Sequence, residues 1–235
     1  MIYVGIDDTD VLDAPGTNQL ARLTVMELSA QARGQMILRH QLLEDPRVPC
    51  TKKNGCASIA FEPQDSFSLT RFIESLRQMV VSWAFDGSDP GLCVAEVVPR
   101  AVSEWGTRCQ KELVTQADAR QLAAEHNIYL EGLGGTEDGV IGALAAIGLM
   151  ASKNDGRVIY YSASEEDWYN VTGCLDIADV RARGIDEVLD IDSGQPVASG
   201  VIDIGKRLRP NFHAGKIVLY AAKNELPHWE AVRRT

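Results

Sequence analysis

Apolar and polar positions fall in blocks along this chain, and the blocks predict strands interleaved with helices. Residues 2–6 (I-Y-V-G-I) form a short apolar run that reads as a buried strand. Leu20, Leu23, Met26 and Ala30 recur at helical spacing within 17–33, with Gly34 as the stop. Strand-like runs follow at 36–43 and 56–61, separated by P-R-V-P-C-T-K-K-N-G, a loop by its prolines and its N-G. Then come a helix over 68–83, a D-G-S-D-P-G turn at 86–91, a strand at 92–98, and a helix over 115–126 with Thr115 as N-cap. IYLEGL at 128–133 reads as a strand and 136–151 as a helix of small residues. Further strands are predicted at 157–162, 187–191 and 215–222, while 163–183 is polar and fits no single period. The mixture predicts an α/β (α+β) fold in packed layers, with a division into 1–127 and 128–235.

Composition narrows the classes. At 235 residues and 45% apolar, the chain can bury a sizeable core as one large domain or two small ones. Its formal charge of −10 gives no general electrostatic grip on nucleic acid. There is no apolar run long enough for a membrane span, and no basic region precedes the early acids as a signal peptide would require. The five cysteines are widely spaced without a C-x-x-C, which supports neither a zinc ribbon nor a disulfide framework. A cytoplasmic protein is expected, with monomer and homo-oligomer both open.

The candidate chemistry starts where the first strand ends, in G-I-D-D-T-D. In a continuing strand Asp7 and Asp8 would point to opposite faces. Asp7, Asp8 and Asp10 converge only if the chain turns at about Asp8–Asp10. Converged, they would make a hard oxygen site suited to Mg²⁺. A solvated turn is the competing reading, and the residues alone leave the two level. Thr17 is an N-cap by position, or a hydroxyl close to the acids. Lys52 and Lys53 are adjacent cations suited to polyphosphate charge, or a solvated pair. In 129–149 a glycine turn feeds a helix that Thr136 would cap, without a Walker G-K-[ST] and with Glu137 where a dinucleotide fingerprint has its third glycine. Gly139, Gly142, Ala146 and Gly148 leave a small-residue face, read as close packing, ligand contact or both. His40, His126, His213 and His228 show no ligand spacing, the tryptophans read as packing residues, and K-R-L-R at 206–209 reads as a solvated basic face or a contact for an acidic ligand.

G-I-D-D-T-D, the P-x-V-P-C-T-K-K-N-G loop and G-x-I-G-A-L-A-A-I-G occur in the order found in the archaeal tRNA(Ile2) 2-agmatinylcytidine synthetases, and the chain resembles the catalytic half of that family. The resemblance implies a kinase-like α/β domain at 1–127 followed by a ferredoxin-like α+β domain at 128–235. It implies ATP and Mg²⁺ as cofactors. By position, Asp7, Asp8 and Asp10 match the family's catalytic, metal-binding acids and Thr17 matches the threonine of its kinase-like chemistry. Lys52, Asn54 and Gly55, with Lys53 beside them, match a basic N-G loop near the nucleotide. Gly135, Gly139 and Gly142 fall in the glycine-rich segment beside the cleft. The family continues into an OB-fold and a zinc ribbon that grip tRNA, and nothing here resembles them. Asn18 also stands where the family tends to carry a second threonine.

The resulting expectation is an ATP- and Mg²⁺-dependent enzyme of kinase or ligase type, transferring a phosphoryl or pyrophosphoryl group to a small acceptor that the sequence does not name. tRNA is not expected as a partner without a second chain to hold it. One alternative is a nucleotide sensor or partner-binding protein without turnover. Another is a phosphatase with Asp8 as nucleophile, for which D8-T9-D10-V11-L12 supplies D-x-D but puts Leu12 at the fifth position.

Overall fold

The N-terminal apolar run forms β1 (Ile2–Asp7), and the first of two compact units, Met1–Ser152, is assembled around it. The structure is a computed structural model that describes residues 1–51, 53–164, 166–223 and 228–233. After β1 come α1 (Thr17–Glu27), β2 (Ala32–Arg39), β3 (Ala57–Pro63), α2 (Leu69–Trp83) and β4 (Gly91–Ala95). α3 (Arg100–Cys109), α4 (Gln116–Glu125), β5 (Tyr129–Gly132) and α5 (Gly139–Ser152) complete the unit. Its strands run β5-β4-β1-β3-β2, each antiparallel to its neighbours. The β1-α1-β2-β3-α2-β4 sequence with order β4-β1-β3-β2 is a split βαβ arrangement of the ferredoxin-like kind.

Alternation along β1 sorts the layers. Ile2, Val4 and Ile6 are buried on one face, with α1 and α2. Phe61, paired with Ile2, meets Phe72 of α2 edge-on at 5.1 Å, and Gly34, paired with Phe61, admits Val25 of α1. Tyr3, Gly5 and Asp7 point to the other face. There α5 lies so close that a Cβ at Gly5 would overlap the carbonyl of Ala143. α3 crosses the outer side of α5, with Gly148 against the Val102 carbonyl. A helix covered on both sides has to be apolar all round, and only Ile141, Ser152 and Ala151 of α5 escape full burial.

Several elements differ from expectation. α1 ends at Glu27 rather than running to 33, because the Gln31 and Ala32 N–H groups both close on the Leu28 carbonyl, at 2.9 Å, and turn the chain into β2. α3 has no counterpart in the predicted elements, although Val102, Trp105, Gly106 and Cys109 bury at helical spacing. Thr115 caps α4 as predicted, in a reciprocal capping box with Asp118. Thr136 does not cap α5. Its N–H donates to the Asp89 carboxylate, and the helix starts at Gly139 after Glu137 adopts φ +65°.

The second unit, Lys153–Thr235, is built from short strands. It holds β6 (Arg157–Tyr161), a 3-10 turn at Trp168–Asn170, β7 (Cys174–Asp176), α6 (Ile177–Ala182) and β8 (Glu187–Asp190). β9 (Val201–Asp203), β10 (Asn211–His213), β11 (Lys216–Lys223) and β12 (Trp229–Ala231) follow. β11 is the spine: β8 runs parallel along one edge, while β10 and β12 pair antiparallel with its two ends along the other. The compact units thus divide at 152/153, against an expected boundary at 127/128. The reason is physical: β5 pairs with β4, and α5 fills the face of the first sheet, so the segment 128–152 is held by the first unit. The split βαβ pattern likewise lies in residues 2–95, whereas the second unit carries seven strands and one α-helix among its described residues. No helix among the described residues is long and apolar enough to cross a membrane.

Candidate active site

β1 stops at Asp7 because Asp8 takes φ +51°, a left-handed conformation that Asp tolerates better than most residues. The chain thus turns where convergence of the acids would require it. Asp7, Asp8 and Asp10 all line one cavity of about 500 Å³ in the first unit. The acids sit at the end of the central strand. Gly142 of α5 lies beneath Asp7, where a Cβ would overlap the carboxylate. The rest of the wall comes from the 42–55 segment, Cys109, Asp138, and the residues leading into α4. Thr115, Gln116 and Ala117 bring the N-terminal, positive end of the α4 dipole to the cavity. Leu42, Leu43, Val48, Leu113, Val114 and Ile141 give it an apolar side.

The electrostatics are lopsided. Burial pushes the Asp7 carboxyl up to about 8, and repulsion from Asp8 adds to it. Burial also raises Asp8, to about 6, with further repulsion from Asp89, Asp10 and Asp138. Among the described residues no Lys, Arg or His pairs with Asp7, Asp8 or Asp10. Two cations on the cavity wall among the described residues are already engaged, Lys53 with Glu44 at 3.2 Å and Arg47 with Asp45 through two bonds of 2.8 Å. The Lys53 pair is exposed on both sides and can exchange partners at little cost, whereas Arg47 grips a part-buried Asp45 through two bonds.

Thr17 is the first residue of α1 rather than its cap, a position taken by Gly16. Its buried hydroxyl accepts from Thr9 at 3.1 Å and donates to Asp10 at 3.3 Å, so it orients that carboxylate. A shallower hollow of about 280 Å³ on this side shares Asp10, Thr51, Lys53 and Gly55 with the main cavity. Asn54 holds the loop: its side chain donates to the Leu43 carbonyl at 2.8 Å, and its carbonyl accepts from Leu42 at 2.9 Å. Lys52 lies outside the described residues. Of the three glycines matched to the cleft, Gly142 lines the cavity, whereas Gly135 and Gly139 pack against the turn at 88–91.

Asp89 and Asp138 join the acidic group from the 88–91 turn and the start of α5, near enough to raise Asp8. Asp138 accepts from Gln116 at 2.6 Å, and Asp89 holds the Thr136 N–H. Cys109 is a poor nucleophile here, since burial pushes its thiol up to about 12. The donor type and uncompensated charge fit a hard divalent cation. Among the described residues, however, no three His, Cys, Asp or Glu side chains stand close enough as placed to form a ready ligand shell.

No family model matches the chain. Over 153 residues, 63% of its length, it is 28% identical to the tRNA(Ile2) 2-agmatinylcytidine synthetase TiaS of Thermococcus sibiricus. Against the Pyrococcus horikoshii enzyme it is 27% identical over 175 residues. The chain resembles the tRNA(Ile2) 2-agmatinylcytidine synthetases. An uncharacterized protein of Methanocaldococcus jannaschii is 28% identical over 153 residues. The chain matches between about a third and a half of these relatives' lengths: 35% and 39% of the two TiaS chains and 49% of the M. jannaschii protein. TiaS also shares the fold. The crystal structure of a TiaS–tRNA(Ile2)–AMPCPP–agmatine complex superposes with a TM-score of 0.57 at 19% identity, covering 90% of this chain and 52% of that one. A TiaS–tRNA(Ile2)–ATP complex gives 0.56 at 23% identity, covering 63% and 36%.

Proposed function

We propose that the first unit is an ATP- and Mg²⁺-dependent core that transfers a phosphoryl or pyrophosphoryl group to a small acceptor, in the manner of the TiaS synthetases. One observation carries this reading: three aspartates face a single ligand-sized cavity, with no cationic partner among the described residues. Two of them are pushed toward the protonated state by burial and mutual repulsion, a state that a bound cation would relieve. Asp7, Asp8 and Asp10 would hold Mg²⁺, which offsets phosphate charge when bound. Thr17 fixes Asp10. Lys53 stands at the wall, ready to leave Glu44 for phosphate oxygens, and Arg47 adds positive charge to the same wall. The apolar side formed by Val48, Leu113 and Val114 gives an uncharged group somewhere to pack away from the acids. The similarity to enzymes crystallised with ATP and AMPCPP supports the choice of nucleotide.

A second reading, nucleotide binding without turnover, is favoured by the buried Thr17 hydroxyl, which is committed to Asp10. The two separate in an assay of phosphate and pyrophosphate release from ATP with Mg²⁺ over a panel of small amines, alcohols and nucleosides. The enzyme reading expects release that Asp8→Asn abolishes. ATP bound but never cleaved would leave the sensor, and ATP not bound at all would remove both.

A further inference from the structure

The shallower hollow beside the acids holds a cation that the main cavity does not use. Arg39, the last residue of β2, is half-buried and lines this hollow together with Lys53, Thr51 and Asn18. Its place is built by the Asn54-Gly55 end of the loop. A Cβ at Gly55 would come within 2.7 Å of the Arg39 Nη2, so the glycine leaves the room in which the guanidinium lies. That Nη2 donates to Gln41 Oε1 at 3.2 Å, and Gln41 Nε2 in turn donates to the Asn54 carbonyl at 2.5 Å. The guanidinium is therefore tied to the same loop that carries Lys53.

Among the described residues Arg39 pairs with no carboxylate. Arg33, Arg47, Arg77, Arg100 and Arg120 of the same unit each sit on one. A guanidinium presents several N–H donors in a rigid fork, and Gln41 engages one nitrogen of it. The fork matches phosphate oxygens in a planar, two-bond geometry. Lys53 brings a second positive charge to the hollow, from a pair with Glu44 that can open at little cost. Thr51 and Asn18 add neutral donors, and α1 begins here behind Gly16 with neither a side-chain cap nor an acid in its first turn. Asp13 and Asp10 stand on the opposite side of the balance. An anion in the hollow therefore needs the metal that the acids would hold. Asp10, Thr51, Lys53 and Gly55 also line the main cavity, so the two spaces meet at the acids.

We propose that Arg39 and Lys53 make this hollow a phosphate subsite. It takes the outermost phosphate of a nucleotide seated in the main cavity, which rests on the nucleotide reading above, or a free pyrophosphate, which does not. The full chain, with Mg²⁺ present, is titrated by calorimetry with ATP, AMP and pyrophosphate, as wild type, Arg39→Gln and Arg39→Lys. Arg39→Gln should bind ATP and pyrophosphate about tenfold or more weakly and AMP as the wild type does. Arg39→Lys keeps the charge but loses the fork, and should fall between the two. The unfolding temperature of Arg39→Gln should stay near that of the wild type, since the bond given up is the one to Gln41. Should that variant fail to fold, Asn18→Asp takes its place: an acid in the first turn of α1 suits the helix dipole, yet it should weaken the same two ligands. Weakening of pyrophosphate alone would assign the subsite to free phosphates, and weakening of ATP alone would assign it to the nucleotide. A wild type that binds pyrophosphate through Arg39 but never ATP would remove the nucleotide reading and keep the subsite. A wild type that binds neither, a folded Arg39→Gln that binds both as the wild type does, or an equal loss of AMP and ATP would overturn the proposal.

Discussion

Three aspartates at the end of one strand are brought to one cavity through a single backbone angle. With Asp8 at φ +51°, carboxylates that an extended chain would splay apart line one cavity. Their raised pKa values have a sign that can be checked. Asp7 and Asp8 start from 3.8 in the unfolded chain and rise to about 8 and about 6 in the fold. The metal-free protein therefore has their full contribution to stability below about pH 4 and loses it as pH climbs through 6 toward 8. Urea unfolding at a series of pH values should show the midpoint falling across that window, and Asp7→Asn should flatten its upper part. Asp45 and Asp190, held low by their hydrogen bonds to Arg47 and Ser193, change charge below this window and do not mask it. Because a metal needs the ionised carboxylates, Mg²⁺ affinity should run the other way and climb between about pH 6 and 8, with proton release measurable in buffers of different ionisation enthalpy.

Among the elements, α5 does most to shape the site, and its glycines divide into two kinds. A Cβ at Gly139 would collide with the Asp89 carbonyl and the Gly91 amide, which are backbone and cannot yield. Gly139→Ala should cost about 1–3 kcal/mol or more in urea unfolding. A Cβ at Gly142 meets the carboxylate end of Asp7, which can swing aside. Gly142→Ala should therefore keep most of the stability and lose Mg²⁺-dependent nucleotide binding, a split that packing alone would not produce. Thr115→Ala removes the α4 capping box beside the cavity and should cost about 1 kcal/mol. How legible these elements were depended on how local their causes are. Thr115 with Asp118, and the apolar run of β1, announce themselves within a few residues. α3 was readable from Val102, Trp105, Gly106 and Cys109, but polar residues between them blurred the period. The early end of α1 was not readable, because Ala30 keeps the helical spacing while the chain closes on the Leu28 carbonyl. β9, β10 and β12 are three residues each, too short for alternation to show. The acids of the site were visible as a cluster, whereas Asp89 and Asp138 reach it only through the 88–91 turn and the start of α5, a matter of tertiary placement.

In the whole molecule, charge is unevenly distributed. The chain is acidic overall, and it gathers carboxylates around one cavity in the first unit. Such an arrangement is costly alone and suits a cation. A ligand that binds only the folded first unit should also raise its unfolding temperature in proportion to the logarithm of its concentration. The central claim, that Asp7, Asp8 and Asp10 bind nucleotide through Mg²⁺, is tested most directly by isothermal titration of the full chain with ATP, with and without Mg²⁺, alongside Asp7→Asn and Asp8→Asn. The account predicts a Mg²⁺-dependent binding event in the wild type that both substitutions remove. No Mg²⁺-dependent heat in the wild type, or an undiminished event in either variant, would contradict it.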